Sequence, residues 1–317
     1  MQHQTPSPFS QQLNLSVDEI MKPKNQARSS KLRRDLIETT KTLAPLGIKL
    51  EPPRDGDWLA EHDEKGQTFL RYLTSDPVAA TPSRNKIYIV PLGDFTDEQH
   101  ELVRRVSEFM AAFYGLPVVV QDVVGLESVN KNKQRVHPEW GDKQILSTFI
   151  LDKLTKYLPP DAATYLCFTS SDLWPRDGWN FVFGQASLVN RVGVWSFYRH
   201  GSKFSKCLKR TLSTAVHETG HIFGMRHCTA YSCGMCGSNS LPESDRRPIH
   251  FCPECTPKVS WATGVDLVER AKNLAALCEE WGLNQEAEYY ARSVELLSSA
   301  KPDYSWEHHR EHQQKFQ

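Results

Sequence analysis

His217-Glu218-Thr219-Gly220-His221-Ile222-Phe223-Gly224-Met225-Arg226-His227 is the stretch that decides how the rest of the chain is read. It has the spacing HExxHxxGxxH. At about 3.6 residues per helical turn, His217 and His221 lie one turn apart on the same face, so two imidazoles converge on one Zn²⁺. Glu218 sits one step round. That places a carboxylate beside the metal without making it a ligand, where it takes a proton from the water that attacks a carbonyl. Continued without a break, the helix would point His227 roughly 240° away from His221. Gly224 supplies the stop, because a residue without Cβ enters the left-handed conformation at little cost and lets the chain turn back. His227 then closes the site as a third ligand, and the open fourth position marks a catalytic rather than a structural zinc.

The chain has 317 residues, 39% hydrophobic and 24% charged, with 38 basic and 38 acidic side chains. That length suits one large domain, or one domain with an appendage. Zero formal net charge argues against nucleic acid or an anionic membrane surface as the main partner. No stretch resembles a transmembrane span or a signal peptide, which leads to the expectation of an intracellular, cytoplasmic protein in a reducing compartment. The sequence carries no signal for an oligomeric state.

Residues 1 to 30 are polar and proline-containing, with flexibility expected; 51 to 84 reads as an irregular N-terminal wrap with short helices. Lys31 to Leu43 has helical spacing. From Lys86 the pattern is regular. Lys86 to Leu92 is a strand, Asp97 to Tyr114 a helix with Leu102, Val106, Phe109, Met110 and Phe113 on one side, and Val118 to Val124 a second strand, which together form a parallel βαβ unit. Lys131 to Gly141 reads as loop, Asp142 to Tyr157 as an amphipathic helix and Thr164 to Phe168 as a third buried strand. Leu173 to Trp179 is turn-rich. Asn180 to Ser187 and Val192 to Tyr198 read as adjacent strands, the first at a sheet edge. Ser205 is placed to cap a zinc helix spanning Cys207 to Phe223.

Five of the eight cysteines fall between Cys228 and Cys255. In a reducing compartment such a cluster reads as metal binding. Two ligand sets are open. Cys233, Cys236, Cys252 and Cys255 form C-x2-C-x15-C-x2-C, while Cys228, Cys233, Cys252 and Cys255 form the other set and leave Cys236 spare. Either set completes a tetrahedron of thiolates with no open position, and so a structural zinc. Cys167, Cys207 and Cys278 lie in apolar contexts and read as small core residues.

The run HETGHIFGMRHC, followed by Cys233-Gly234-Met235 and by Cys252-Pro253-Glu254-Cys255, resembles the archaemetzincins, a branch of the metzincin zinc metallopeptidases. Leu173 to Ala186 and Asp245-Arg246-Arg247-Pro248 are similar to the eukaryotic members in particular. The resemblance spans about Lys86 to Ser260. It implies a metzincin-like α/β fold with a mixed, mostly parallel five-stranded sheet, backing helices, an active-site helix ending at Gly224 and a C-terminal subdomain holding a four-cysteine zinc. It further implies two zinc ions per chain. His217, His221 and His227 would hold the catalytic one with Glu218 as general base, and Cys228, Cys233, Cys252 and Cys255 the structural one, with Cys236 as the alternative to Cys228. Met235 would lie in a hydrophobic turn beneath the catalytic ion, and Asn180 to Ser187 would pair with extended peptide at the cleft rim.

Gly264 to Trp281 and Gln285 to Ser299 read as two amphipathic helices packed on the catalytic domain, before a polar tail. The expected organisation is an N-terminal extension over 1–84, a catalytic domain over 85–260 and a helical appendage over 261–317. The expected activity is hydrolysis of a peptide bond in a peptide or protein substrate. A zinc-stabilised peptide-binding module with little turnover, and an aminopeptidase restricted to short peptides, are the competing expectations.

Overall fold

In the computed structural model, which describes residues 30–187 and 189–300, the motif-bearing helix packs on one end of a five-stranded sheet. The chain opens with α1 (Ser30–Thr42), α2 (Trp58–Glu61) and α3 (Phe69–Thr74). Regular α/β structure follows as β1 (Lys86–Leu92), α4 (Asp97–Tyr114), β2 (Val118–Val120), β3 (Gln134–Val136), β4 (Lys143–Leu146) and α5 (Ser147–Lys156). Next come β5 (Ala162–Thr169), β6 (Asp172–Trp174), β7 (Gly184–Ser187) and β8 (Val192–Ser196). The motif lies on α6 (Phe204–Ile222), and α7 (Leu241–Asp245), α8 (Thr256–Thr263), α9 (Leu267–Glu280) and α10 (Asn284–Ser299) complete the described chain. Most of the segment 1–30 and all of 301–317, including His308, His309 and His312, lie outside the described residues.

The main sheet runs β2-β1-β5-β8-β7. Its first four strands are parallel and β7 joins β8 antiparallel, which leaves β7 at the edge, as expected for the first of the two adjacent strands read from Asn180 to Tyr198. β5 is buried along its whole length, as a central parallel strand covered on both faces must be. α4 starts in a reciprocal cap, Gln99 N–H donating to the Thr96 hydroxyl and Thr96 N–H to the Gln99 side chain. Its apolar stripe buries Leu102, Val106, Phe109, Met110 and Phe113, and the Tyr114 hydroxyl donates to the Val216 carbonyl at 2.7 Å, tying α4 to α6.

A second, three-stranded sheet of order β3-β4-β6 departs from the expected loop, helix and turn over 131–179. Lys143 to Leu146 fits a helical period as well as a strand, and pairing decides: β4 takes its backbone partners from β3 and β6. The buried Gln144 adds side-chain bonds to Asp172 and to the Asn180 carbonyl. α5 therefore begins only at Ser147. The carbonyls of Trp179 and Asn180 are taken by the Arg135 guanidinium, so the expected strand from Asn180 is shortened to β7. Likewise β2 stops at Val120, with one further parallel bridge between Leu92 and Val124. α6 starts earlier than its composition suggests, at Phe204, and Lys203 rather than Ser205 precedes it, with no side-chain cap.

One apolar cluster joins Leu36 of α1, Tyr72 of α3, Phe109 of α4, Val216 of α6, Trp261 of α8, Leu274 of α9 and Tyr290 of α10. The segments before 85 and after 260 thus share the core that carries the motif helix. A smaller cluster under α5, including Val90, Leu92, Ile150 and Val194, fills the other face of the sheet. His250, which sequence context suggests is solvated, instead stacks on Tyr289 at 3.5 Å and is bonded to Glu286 at 2.7 Å. No helix among the described residues is long and apolar enough to cross a membrane.

Candidate metal centres

α6 ends at Ile222. Gly224 stands at φ +80°, and two backbone bonds seal the end: Gly224 N–H donates to the His221 carbonyl at 2.8 Å and Met225 N–H to the Gly220 carbonyl at 3.0 Å. This pair of bonds is a Schellman closure, which requires a left-handed residue where Gly224 stands. Two of the carbonyls left over are met from the N-terminal wrap: the Tyr72 hydroxyl donates to Phe223 O at 2.7 Å and the Gln67 amide to Gly224 O at 3.2 Å.

The turn brings three imidazoles together. Ligand nitrogens of His217, His221 and His227 all lie within 4.8 Å of one another. Each ring uses Nδ1 outward. His217 Nδ1 is 2.9 Å from Gly234 O, His221 Nδ1 is 2.7 Å from Met225 O, and His227 Nδ1 is 2.9 and 3.0 Å from the two Glu64 oxygens. Carbonyls and carboxylates only accept, so every Nδ1 must carry the proton and every neutral ring presents a bare lone pair at Nε2. His217 Nε2 and His221 Nε2 approach to 2.9 Å. Two lone pairs repel at that distance unless a cation lies beside both. The donor set, three neutral imidazoles with no thiolate, suits Zn²⁺. Burial and mutual proximity push the His217 ring well below the usual histidine range and His221 to about 4, which keeps both neutral.

Glu218 is half-buried and stands between the imidazoles and the edge strand. A Cβ on Gly184 would lie 3.0 Å from Glu218 Cγ, so the backbone of β7 rests directly on this side chain. Desolvation pushes the Glu218 carboxyl up to about 8. A divalent cation held by the three imidazoles would pull it back down, since an opposite charge favours the carboxylate. A cavity of about 90 Å³ opens here, lined among others by Phe183, Thr214, His217, Glu218, Cys236 and Arg247. A wider groove of about 730 Å³ meets the same strand at Gln185 and is walled by Trp174, Arg176, Trp179 and Val182. Trp174 is largely core, whereas Trp179 is 46% exposed. Beneath the histidines, Met235 is fully buried against α6, where a Cβ on Gly220 would come within 2.5 Å of its sulfur.

The geometry brings together one of the two cysteine sets. The sulfurs of Cys228, Cys233, Cys252 and Cys255 lie within 4.8 Å of one another, all buried. Cys236 points away; its thiol donates to the Tyr231 carbonyl at 3.2 Å, and burial pushes it up to about 12. Donors surround the four-sulfur group. Met235 N–H and Cys252 N–H both point at Cys233 Sγ, at 3.4 and 3.3 Å, and the fully buried Lys258 ammonium lies 3.6 Å from Cys255 Sγ. Lys258 Nζ also donates to Gln67. Among the sulfurs, hydrogen bonds from the Cys233, Cys252 and Cys255 thiols hold Cys228 far below the usual thiol range, while burial pushes Cys233 and Cys252 well above it, so only a bound cation would make all four thiolates. Four thiolates with no open position suit a structural Zn²⁺.

Sequence reading misses Glu64, Gln67, Tyr72 and Lys258. Three of them lie in or beside a segment without periodicity, and nothing local in the sequence places them at a site more than 150 residues away.

The sequence pattern of Peptidase family M54 matches residues 101–260. Human Archaemetzincin-2 is 39% identical over 265 residues, covering 72% of each chain. The archaemetzincin of Archaeoglobus fulgidus is 34% identical over 178 residues, which is 56% of this chain and 99% of that one. Among solved structures, the crystal structure of archaemetzincin from Methanopyrus kandleri has a TM-score of 0.47 and 29% identity, covering 58% of this chain and 97% of that one.

Proposed function

The chain belongs to the archaemetzincins, peptidase family M54, and from its being a zinc metallopeptidase of that family we propose that it hydrolyses peptide bonds with Glu218 as general base. His217, His221 and His227 hold a catalytic zinc, and Cys228, Cys233, Cys252 and Cys255 a structural one, two per chain. When bound, zinc supplies Lewis-acid polarisation of a carbonyl oxygen and lowers the pKa of water towards about 7. The edge of β7 offers unpaired backbone groups along which an extended peptide adds as a further strand. That pairing lays the scissile carbonyl over Glu218, whose carboxylate takes a proton from the attacking water and passes it to the leaving amine nitrogen. No acyl-enzyme forms, because no nucleophilic side chain is needed. Residues 85–260 form the catalytic unit, with the segments before and after built onto it.

The observation that carries this reading is the position of Glu218, pressed by the Gly184 backbone into the cleft that His217 also lines. The test is Glu218→Gln. The variant keeps both zinc ions by metal analysis and still binds peptide, while hydrolysis falls by about 10²–10⁴-fold. Undiminished turnover refutes the role. Peptide binding without hydrolysis by the unaltered protein would instead favour the binding-module reading, and cleavage confined to peptides with a free N-terminus would favour an aminopeptidase.

A further inference from the structure

The third imidazole is held differently from the other two. His217 and His221 donate Nδ1–H to backbone carbonyls of the turn and loop next to α6, but His227 donates to a carboxylate 163 positions earlier in the chain. The geometry points to Glu64 as a positioning residue for His227, fixing the ring with Nε2 toward the other two histidines and so setting how firmly the catalytic zinc is kept. This rests on the proposed three-histidine zinc site and lies outside the span matched by the family pattern.

Three observations support it. First, both Glu64 oxygens lie within hydrogen-bond distance of Nδ1, at 2.9 and 3.0 Å, on the far side of the ring from the convergent nitrogens. The carboxylate therefore acts through His227 and is not itself placed as a ligand. A carboxylate is the strongest acceptor such a ring can meet; it locks the tautomer and makes the opposite nitrogen a better donor to a metal.

Second, Glu64 is carried on a segment fastened on both sides of it. Upstream, Asp57 pairs with Arg246 at 2.6 Å and Trp58 N–H donates to Glu243 at 3.0 Å. Downstream, Gln67 accepts from Arg226 N–H at 3.1 Å and from the buried Lys258, and Phe69 N–H donates to Glu254 at 2.7 Å. Third, the Trp58 ring stacks on His62 at 3.8 Å and meets His227 edge-on at 5.0 Å, which closes the side of the imidazole beside the carboxylate. His227 lies beyond the end of α6, where no helical neighbour restrains it. The N-terminal segment supplies that restraint.

The test measures metal retention in the full chain. Zinc-loaded protein, Glu64→Gln and Glu64→Ala are titrated with a chelator, and zinc per chain is counted. In Glu64→Ala the Kd of the weaker-held zinc should rise by about 10–100-fold. Glu64→Gln, which keeps an acceptor without the charge, should fall between, and the thiolate-held zinc should stay in all three. Replacing that weaker-held zinc with Co²⁺ should give a visible spectrum that shifts in the variants. A lowered Tm with unchanged zinc affinity and unchanged cobalt spectrum would mean that Glu64 only braces the fold, and would overturn the assignment. If His227→Ala holds as much zinc per chain as the unaltered protein, the underlying site is wrong and this inference goes with it.

Discussion

Replacing Gly224 by alanine tests the bend on which the site depends. At φ +80° an L-residue other than glycine costs roughly 1–2 kcal/mol. A Cβ would also lie 3.1 Å from Pro77 Cβ and 3.4 Å from its Cα, a tight contact with a stiff ring. The conformational cost alone lowers Tm by roughly 2–6 °C in a domain of this size. It also opens an escape, since a helix continued through position 224 relieves the strain and carries His227 away from its partners. Strain of 1–2 kcal/mol on the bent form weakens zinc retention by up to about 5–30-fold. Asparagine separates the two causes. It brings the same Cβ against Pro77 but enters the left-handed region far more readily than alanine. Thermal melts and chelator titrations of Gly224→Ala and Gly224→Asn should therefore rank unaltered protein, then asparagine, then alanine. Equal Tm and equal zinc retention for all three would show that the left-handed turn does not hold His227 in place.

Cys228→Ser should lose one zinc per chain and melt at lower temperature, whereas Cys236→Ser should keep both ions; metal analysis decides, and the reverse pattern would restore the ligand set that includes Cys236. Gly184→Ala pushes a methyl to 3.0 Å from Glu218 Cγ and 3.1 Å from Trp195 Cβ, so peptide hydrolysis should fall by up to about 10²-fold with zinc content unchanged. Glu286 is a buried carboxylate: burial opposes its ionisation, but the attraction and hydrogen bond of His250 and the N–H groups of Ile249 and His250 hold it below the usual range. Its stabilising effect is present above the unfolded carboxylate pKa, near ~4.3, and is lost as pH falls through the lower folded value. Glu286→Gln should then cost about 2 kcal/mol at neutral pH in denaturant unfolding and lose less than the unaltered protein on acidification below pH ~4.5; an equal acid dependence would contradict the shift.

How much of this was legible follows from the reach of each interaction. The Gly224 turn is local, and so are β1 and α4, whose periodicities have no competitor; those elements read correctly, and β8 reads correctly except that it stops at Ser196 rather than Tyr198. The small β3-β4-β6 sheet did not, because strands of three or four residues carry too little pattern to outvote a helical reading, and only pairing with Asp172–Trp174 settles them. Spacing left Cys228 and Cys236 equivalent. What separates them is a backbone bond, Cys228 N–H to Met235 O at 2.8 Å, and the carbonyl of Tyr231 that engages Cys236. Glu64 and Lys258 were invisible for a different reason: a carboxylate and a lysine are ordinary surface residues until the fold brings a half-buried imidazole or a buried cysteine cluster to them.

The segment from Gly224 to Cys228 is where these long-range contacts converge. Within five residues it ends α6, provides the Met225 carbonyl that orients His221, carries the third imidazole and delivers the first sulfur of the second site. Such a segment has no helical ladder of its own to stiffen it, so its rigidity must come from what it is fastened to. On one side are Tyr72, Gln67 and Glu64; on the other is the four-sulfur group through Cys228. A zinc held by the four sulfurs would therefore bear on the proposed catalysis without touching substrate, because it would anchor the residue next to His227. A fold that placed the two ligand groups on separate elements would lack that dependence, which the peptide bond between His227 and Cys228 imposes on the proposed pair of sites.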